Sequence, residues 1–374
     1  MSAATEKHAQ VALTLVNGIG DVLIRNLISY AGSAQKAFVL PPAKLLKIPN
    51  IGVVLANNLH NKFIWAEADK IIAQTEKDGV QILFYTDKNY PDRLKRNYDA
   101  PALMYYKGNA DLNVTKTVAI VGTRQATEYG KMISAEIVEG LQLHNALIVS
   151  GLAYGIDIAA HKAALKNDLP TIGVMASGLD IIYPNQHEKT AQAMLEKGGL
   201  LTESPFGTGP DAPRFVARNR IIAGMCDVTI VVESAKRGGG LISAEYANNY
   251  HREVFAVPGD VRNKFSEGCN NLIRQNKAQI FTNVQDLIDT MNWDLSGKTP
   301  EKVPAQLFDD TQFSDEEAQI LALLRRNEAM QIDEIAWQSQ MSMGNLASLL
   351  LSLEFQGIVK SLPGKKYGLV YVRE

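Results

Sequence analysis

The sequence has little of what marks secreted, metal-binding or membrane-spanning proteins. Its 374 residues include two cysteines, Cys226 and Cys269, which are too few for a disulfide framework and typical of a reduced, cytoplasmic protein. The six histidines are scattered without metal-ligand spacing, so neither a metal nor a cofactor is predicted. No apolar run approaches the ~20 residues of a membrane span. The first residues contain no apolar segment of a secretory signal, and we expect no membrane partner.

An excess of charge of one sign is also absent. Lys and Arg number 38 and Asp and Glu number 40, for a net charge of −2. A site for an anion must therefore be built locally, because the protein as a whole does not attract one. The length and the hydrophobic fraction of 46% are those of a folded chain with two or three domains.

The order of helical and strand-like segments divides the chain into four parts. We predict a helical domain at 1–75, an α/β domain at 76–291, a linker at 292–310 and a small domain at 311–374. The linker is polar and contains Pro300 and Pro304, as expected of a segment outside regular structure.

Within the first part, two stretches resemble each other: LVNGIGDVLIRNLI (15–28) and IPNIGVVLANNLH (48–60). In each, an Ile-Gly pair opens an apolar helix, with Gly20 and Gly52 at equivalent positions. This is the pattern of a paired helix-hairpin-helix, in which the turn amides can hold a DNA phosphate. An ordinary helical bundle with glycine caps fits the pattern equally well.

The middle part alternates short, apolar, β-branched runs with helical segments. The strand-like runs lie at 116–122, 146–151, 171–175, 199–203, 227–233, 253–257 and 278–281. This alternation predicts βαβ units in a doubly wound, mostly parallel sheet. Ligands of such sheets bind beyond the carboxyl ends of the strands, so the residues that follow each strand form the candidate site.

Three of these strand ends are followed by segments that contain glycine. The first is followed by Gly122-Thr123-Arg124, where turn amides, the dipole of the next helix and the guanidinium all favour phosphate. The second is followed by SGLAYGID (150–157), whose glycines let the backbone approach a ligand. The fifth is followed by KRGGGLIS (236–243), which predicts an anion nest.

Two titratable residues follow the second strand. Asp157 is interpreted as a cap at the start of the next helix rather than as a catalytic acid. His161 lies four residues further on the same helix face. The pair could work as acid and base, but a local hydrogen bond is the preferred interpretation.

The segment PRFVARNRIIAG (213–224) carries three arginines, and 212–226 contains no acidic residue. On a helix, Arg214 and Arg218 share one face, and Arg220 lies roughly 200° round from Arg218. We predict phosphate contacts for these arginines rather than salt bridges. For base stacking we prefer Phe206, in the preceding loop, over Phe215, which fits a helix core.

Six motifs, in order along about 170 residues, resemble those of the DNA-processing protein A family, also called DprA or Smf. They are GTR (122–124), SGLAYGIDIAAHKAAL (150–165), SGLDIIYP (177–184), RNRIIAG (218–224), REVFAVPGD (252–260) and GCNNLIRQNKAQIF (268–281). The resemblance implies an α/β protein with an extended Rossmann-like, doubly wound, mostly parallel sheet. It also implies an N-terminal all-helical domain, helix-hairpin-helix or SAM-like, and a C-terminal winged-helix domain.

The resemblance further implies a non-enzymatic recombination mediator that binds single-stranded DNA in natural transformation (competence). Members protect incoming strands, help to load the RecA recombinase and form homodimers. On the matching motifs, the DNA-binding residues would be Gly122, Thr123, Arg124, Ser150, Gly151, Gly155, Ile156, Asp157, Phe215, Arg218, Asn219 and Arg220. To these the residues themselves add Phe206, Gly239 and Gly240. Val216 replaces the family's usual proline, and the glycines at 238–240 replace its serine-containing turn, which leaves only amides for phosphate there.

The last part fits a winged helix, with helices at 315–326, 332–339 and 342–355 and a hairpin at 358–370. Its third helix would enter a DNA groove, but it contains neither Lys nor Arg, and only the hairpin tip carries Lys365 and Lys366. We therefore expect packing or protein contacts from this domain.

Two other functions stay open. The stretch RGGGLISAE (237–245) partly matches the P-G-G-x-G-T-x-x-E motif of nucleotide phosphoribohydrolases: two glycines and Glu245 align, but the proline and the Gly-Thr pair do not. A nucleotide sensor that binds phosphate at 122–124 is the second alternative. Competition between AMP and single-stranded DNA would distinguish both from a DNA binder.

Overall fold

The computed structural model describes residues 5–61, 63–293, 313–327, 330–356, 358–362 and 366–369. The chain divides into two compact units, Met1–Trp293 and Asp294–Glu374. The predicted linker, apart from residues 292 and 293, lies outside the described residues, as does Lys365 of the hairpin tip. The four-part division of the chain stays a prediction.

The first unit begins with helices, as predicted. They are α1 (Glu6–Thr14), α2 (Asp21–Ala31), α3 (Ala34–Val39), α4 (Pro42–Leu45), α5 (Val53–Asn58) and α6 (Phe63–Lys77). The caps of α2 and α5, Gly20 and Gly52, have nearly equal φ and ψ of −95°, 179° and −93°, 179°. Two residues before them, Gly18 and Asn50 are both left-handed, with φ of 84° and 65°. The repeated sequence thus forms a repeated turn, as a paired helix-hairpin-helix requires.

The sheet of this unit has nine strands among the described residues. They are β1 (Gln81–Phe84), β2 (Leu103–Gly108), β3 (Thr117–Val121), β4 (Leu147–Ser150), β5 (Thr171–Val174), β6 (Gly199–Thr202), β7 (Val228–Val231), β8 (Glu253–Ala256) and β9 (Gln279–Ile280). Their order is β1-β2-β6-β5-β4-β3-β7-β8-β9. All neighbours from β6 to β9 pair in parallel, and β1 and β2 add an antiparallel edge. The seven predicted strands and the doubly wound sheet are confirmed; β1 and β2 were not expected.

Helices cover both faces of this sheet. They are α7 (Asp92–Lys95), α8 (Glu128–Gly140), α9 (Ile156–Lys166), α10 (Glu188–Lys197), α11 (Ala212–Met225), α12 (Gly239–Asn249), α13 (Glu267–Arg274) and α14 (Val284–Met291). Alternate residues of β3 enter two different cores: Ala119 and Val121 pack with α11 and α12, and Val118 and Ile120 pack with α8 and α9. Burial on both faces explains why the strands are continuous apolar runs in the sequence.

Polar contacts join the N-terminal helices to the sheet. Asp21, at the start of α2, accepts a hydrogen bond from the amide of Ala102 at 2.8 Å. Arg25 donates to the carbonyl of Asn97 at 3.0 Å, and its guanidinium lies 5.1 Å from the ring centroid of Tyr85. The helices also share one apolar core with residues of β1 and β2. The helical segment is therefore fixed to the antiparallel edge of the sheet.

The second unit is a winged helix, as predicted. Its elements are α15 (Asp315–Arg326), β10 (Met330–Gln331), α16 (Ile332–Ser339), α17 (Met343–Phe355), β11 (Val359–Leu362) and β12 (Lys366–Leu369), with the sheet order β10-β12-β11. Leu346, Leu350 and Leu353 of α17 enter its core. The exposed side of α17 includes Leu351 and Phe355 and carries no cation.

One prediction concerns an ion pair at the amino end of the sheet. Arg93 Nε donates to Asp227 Oδ1 at 2.6 Å, and its other nitrogens donate to the carbonyls of Val114 and Thr115. Both side chains of the pair are only 17% exposed. We expect Arg93→Ala to lower the free energy of unfolding by about 3 kcal/mol, because Asp227 loses the cation that forms its ion pair. Urea unfolding measures the loss. The exposed neighbour Lys95 is the control, and an equal loss in Lys95→Ala would contradict the assignment.

Candidate nucleic-acid interface

A pocket lies where the sheet reverses its strand order. From β3 the chain winds outward through β4, β5 and β6, and then crosses to β7 on the other side of β3. The connections after β3 and β7 therefore leave in opposite directions, which opens a crevice at the carboxyl ends of the strands. A cavity of about 560 Å³ lies in this crevice, between the turns at 122–125 and 238–240 and helix α11.

The turn after β3 differs from expectation in one respect. The amino end of α8 is occupied by the protein itself, because the amide and the hydroxyl of Thr127 donate to the carboxylate of Glu233 at 2.9 and 2.6 Å. The dipole of this helix is therefore not available to a phosphate, contrary to the expectation from the sequence. What the turn offers to a ligand is the exposed guanidinium of Arg124 and the hydroxyl of Thr123.

Arg124 is held against an aromatic ring. Its Cζ lies 4.7 Å from the ring centroid of Phe215 on α11, within cation–π distance. The same ring lies 5.7 Å from that of Tyr183. Arg124 lines the pocket and forms no ion pair with a described carboxylate. A guanidinium and a partly exposed ring thus stand side by side at the opening.

The amino end of α12 forms the opposite wall. Its cap, Gly238, has no side chain to accept from the first-turn amides. Gly239 is exposed, with no heavy atom within 4 Å of the place a Cβ would occupy. The free amides and the helix dipole of this eleven-residue helix therefore favour an anion. The exposed cation of Arg237 stands next to them.

Two histidines hold the loop after β4 in a strained conformation. Leu152 is fully buried with a left-handed φ of 57°, which is costly for a branched side chain. Its amide donates to His161 Nε2 at 3.3 Å, and its carbonyl accepts from His187 Nδ1 at 2.7 Å. His161 Nδ1 donates to the hydroxyl of Thr171 at 2.7 Å, which in turn donates to Ile148. This chain of bonds needs a neutral His161.

Asp157 organises the same loop. Its Oδ2 accepts from the amides of Gly151 and Ala153, at 3.2 and 3.4 Å, and burial raises its pKa. Gly155, which precedes α9, has a φ of 76°, and a Cβ there would collide with the carbonyl of Thr123. Asp157 and His161 each bond to the loop and form no hydrogen bond with each other among those described. The arrangement is that of a loop support and not of an acid–base pair.

Arg218 lies beneath the pocket, only 4% exposed. Its Nη1 donates to the carbonyl of Gly151 at 2.6 Å and to that of Val174. Burial lowers its pKa to about 10, so it stays charged at neutral pH, and it interacts electrostatically with Asp157. Its Nε is buried without a partner among the described residues. Arg218 is therefore first a structural cation, which ties the loop after β4 to the end of β5.

The structure brings most of the predicted residues together. Nine of them line the pocket: Gly122, Thr123, Arg124, Asp157, Phe215, Arg218, Asn219, Gly239 and Gly240. Four more support its wall from behind: Ser150, Gly151, Gly155 and Ile156.

Phe206 and Arg220 lie elsewhere. Phe206 packs against the N-terminal helical core, with its ring centroid 6.1 Å from that of Tyr105. Arg220 is paired with Glu203 and lies 3.6 Å from Asp21, and its side chain is 13% exposed. Its charge thus links α11 to α2 rather than to the pocket. Of the two phenylalanines, Phe215 is the one at the pocket, the reverse of the preference drawn from the sequence.

Two pocket side chains suited to phosphate and base contacts are not among the predicted site residues. They are Arg237, in the glycine segment after β7, and Phe265, in the loop between β8 and α13. Both follow a predicted strand, so applying the strand-end rule to every strand would have found them.

No group of His, Cys, Asp and Glu suited to a metal ion occurs among the described residues. Within the same part of the chain, no helix is long and apolar enough to cross a membrane.

The histidine that supports Leu152 generates a pH prediction. Burial, with Arg218 close by, lowers the pKa of His161 from 6.5 to about 3. Between these values the unfolded chain binds a proton that the folded protein excludes, so stability falls as the pH falls below 6.5. We expect the slope of unfolding free energy against pH in His161→Gln to be less steep by up to about 1.4 kcal/mol per pH unit. Urea unfolding between pH 6 and pH 4 measures it. Equal slopes in both proteins would contradict the neutral buried state.

Two known protein families match this chain. The family described as DNA recombination-mediator protein A matches residues 81–292, and the family described as DprA winged helix domain matches residues 299–365. Protein Smf of Synechocystis is 28% identical over 400 aligned positions, covering 98% of this chain and 99% of that protein.

A further sequence relative and two solved structures belong to proteins with the same family name. DNA processing protein DprA of Streptococcus pneumoniae is 42% identical over 202 residues, which is 54% of this chain and 71% of that protein. An X-ray structure of DprA from this species superposes with a TM-score of 0.63 at 32% identity, covering 75% of this chain and 97% of that one. The structure of DNA processing protein A from Helicobacter pylori, described by its single-stranded DNA binding mode, superposes with a TM-score of 0.52 at 32% identity, covering 57% and 95%. With a family match over more than half of its length, the chain belongs to the DNA recombination-mediator protein A (DprA/Smf) family.

Proposed function

We propose that this protein binds single-stranded DNA in the pocket between β3 and β7. We further propose that it protects incoming strands and helps to load RecA recombinase onto them during natural transformation, with no chemical step of its own. The observation that carries the proposal is an open anion site beside an aromatic–cation pair. Phosphates would lie on the amides of α12 and on Arg124, and a base would lie against the ring of Phe215.

The charge of the pocket supports a polyanionic ligand. Arg124, Arg218 and Arg237 line it, against a single carboxylate, Asp157, whose oxygen already accepts two loop amides. Stacking and phosphate contacts do not depend on the identity of the base, so the sequence preference should be weak. The bases of a duplex are stacked on one another and cannot reach Phe215. A single strand is therefore the favoured form of DNA. The single-strand binding mode described for the Helicobacter pylori relative supports this for the present chain.

The phosphoribohydrolase alternative finds no support in the pocket. Glu245, which would work on a ribose, is exposed on α12 and is not among the residues that line the cavity. Asp157 is the one lining carboxylate of the described residues, and it is engaged by the loop. No lining carboxylate is thus left for acid–base chemistry, and consumption of a nucleotide becomes an outcome of the binding test.

The partners are part of the proposal. We propose that the protein forms a homodimer and contacts RecA in the cytoplasm, and its membership of the DprA/Smf family supports this proposal. RecA loading is tested by following RecA filament growth on single strands precoated with single-strand-binding protein. Faster growth with the protein present supports loading. Unchanged growth beside tight DNA binding would reduce the function to strand protection.

The central experiment is an anisotropy titration of a labelled single strand with three competitors: unlabelled single strand, duplex and AMP. We expect only the single strand to compete well. Affinity should fall with salt by a log–log slope of about −0.7 per neutralised phosphate. Effective competition by AMP, with release of free base, would contradict the proposal and support a nucleotide phosphoribohydrolase instead.

Arg124 gives the cleanest test of the pocket, because it is exposed and its removal breaks no buried bond. We expect Arg124→Ala to bind single strands about 10- to 100-fold more weakly, the value of one charge-assisted contact, at unchanged thermal stability. Lys166→Ala is the matched control: it removes an exposed charge at the other end of α9, about 15 Å from the pocket end of that helix. If Arg124→Ala binds single strands with wild-type affinity, the proposal that this pocket holds the DNA is contradicted.

The winged-helix unit provides a further prediction. Because α17 carries no cation and exposes Leu351 and Phe355, we expect it to contribute little to DNA affinity. A chain that ends at Trp293 retains all the residues of the pocket and should bind single strands as tightly as the full chain in the same titration. A large loss of affinity would assign DNA contacts to the winged helix.

A further inference from the structure

The pocket is continued on one side by the loop that joins β8 to α13, at 257–266. Phe265 of this loop lines the cavity. The loop is tied to the turn after β7, because the amide of Ser234 donates to the carbonyl of Phe265 at 2.6 Å and the amide of Gly268 donates to that of Ser234 at 2.8 Å. We propose that this loop is a second contact segment for the DNA backbone, over which the strand leaves the pocket. The inference rests on the proposed single-strand binding.

Exposed cations follow one another along this path. Arg262 and Lys264 lie on the loop, and Lys236 lies on the turn to which the loop is tied. None of the three forms an ion pair with a described carboxylate. The acidic side chains nearest in sequence are Asp260 and Glu267, both exposed. The cations of the loop therefore stay free for phosphate.

The geometry of the loop repeats that of the pocket opening. Lys264 Nζ lies 4.7 Å from the ring centroid of Phe265, as the guanidinium of Arg124 lies beside Phe215 at the same distance. Arg262 lies three residues from Phe265, so their Cα atoms are at most about 11 Å apart. Two cation–ring pairs thus border one pocket, and a chain of phosphates can contact both. Val261, which is 83% exposed, adds an apolar surface for a base beside Arg262.

The loop is also held in one conformation. Asn270 donates to the carbonyl of Gly259 at 2.9 Å and accepts from its amide at 3.2 Å. Asp260 Oδ1 accepts from the amide of Arg262 at 2.7 Å, and Asn263 Oδ1 accepts from that of Phe265 at 3.0 Å. A fixed loop loses little entropy when a strand lies on it, so its cations contribute to affinity at low cost.

The test compares two lengths of oligothymidylate, about 4 and about 16 nucleotides, which span common single-strand site sizes. The variant is Arg262→Ala with Lys264→Ala. The control removes two exposed cations from α9, Lys162→Ala with Lys166→Ala. We expect the loop variant to bind the long strand about 10-fold more weakly. Its salt slope should be smaller by about 1.4, for two lost phosphate contacts. Binding of the short strand should not change.

Three results would overturn the inference. Wild-type affinity of the loop variant for the long strand would show that the strand does not cross the loop. Equal losses for both lengths would mean that the loop acts only through the pocket. An equal loss of affinity in the α9 control would show that the effect comes from the net charge of the protein and not from contacts of the loop. If the wild-type protein binds neither length, the proposed function itself fails, and the wild-type titration identifies that case before any variant is compared.

Discussion

The pocket depends on one buried cation, Arg218. It lies across the ends of β4 and β5, where its Nη1 donates to the carbonyls of Gly151, which follows β4, and Val174, the last residue of β5. Burial raises the pKa of Asp157, which accepts from the loop amides, and the charge of Arg218 opposes this shift. Burial also lowers the pKa of His161, which holds Leu152, and the charge of Arg218 adds to that shift. One guanidinium thus contacts the backbone of the loop and acts on both titratable groups that hold it. The exposed cations of the pocket can bind a ligand because Arg218 holds the backbone that forms the wall of the pocket.

The sequence could predict the parallel sheet because its strands are buried on both faces and leave continuous apolar runs. It could not predict β1 and β2, which are short and lie at the edge, where Tyr105 and Tyr106 pair with β6 across about a hundred residues of chain. The sequence predicted that Arg218 and Arg220 lie on two faces of α11, but it could not predict which face meets the pocket. That choice depends on Glu203 and Asp21, far away in the chain.

Contacts with distant parts of the chain also explain why the preference between Phe206 and Phe215 was wrong. A loop position favoured Phe206 as the exposed ring, and a helix position favoured Phe215 as a core residue. The loop folds back onto Tyr105, and the first turns of α11 extend past the core. The expectation that the dipole of α8 is available to a phosphate was wrong because Glu233 accepts hydrogen bonds at the amino end of this helix. Glu233 follows a strand more than a hundred residues later in the chain, so the local sequence does not show it. Local sequence gave the candidate groups, and distant partners decided which of them remain free.

Helix α11 carries two sets of contacts on one rigid rod. Phe215, Arg218 and Asn219 face the pocket, and Arg220 holds the N-terminal helices through Glu203 and Asp21. One residue inserted between Asn219 and Arg220 would turn the two sets by about 100° relative to each other. Evolution can therefore exchange side chains on this helix, but it cannot change their spacing without uncoupling the DNA pocket from the helical domain. In a family member without those helices, position 220 is released from that constraint while position 218 is not.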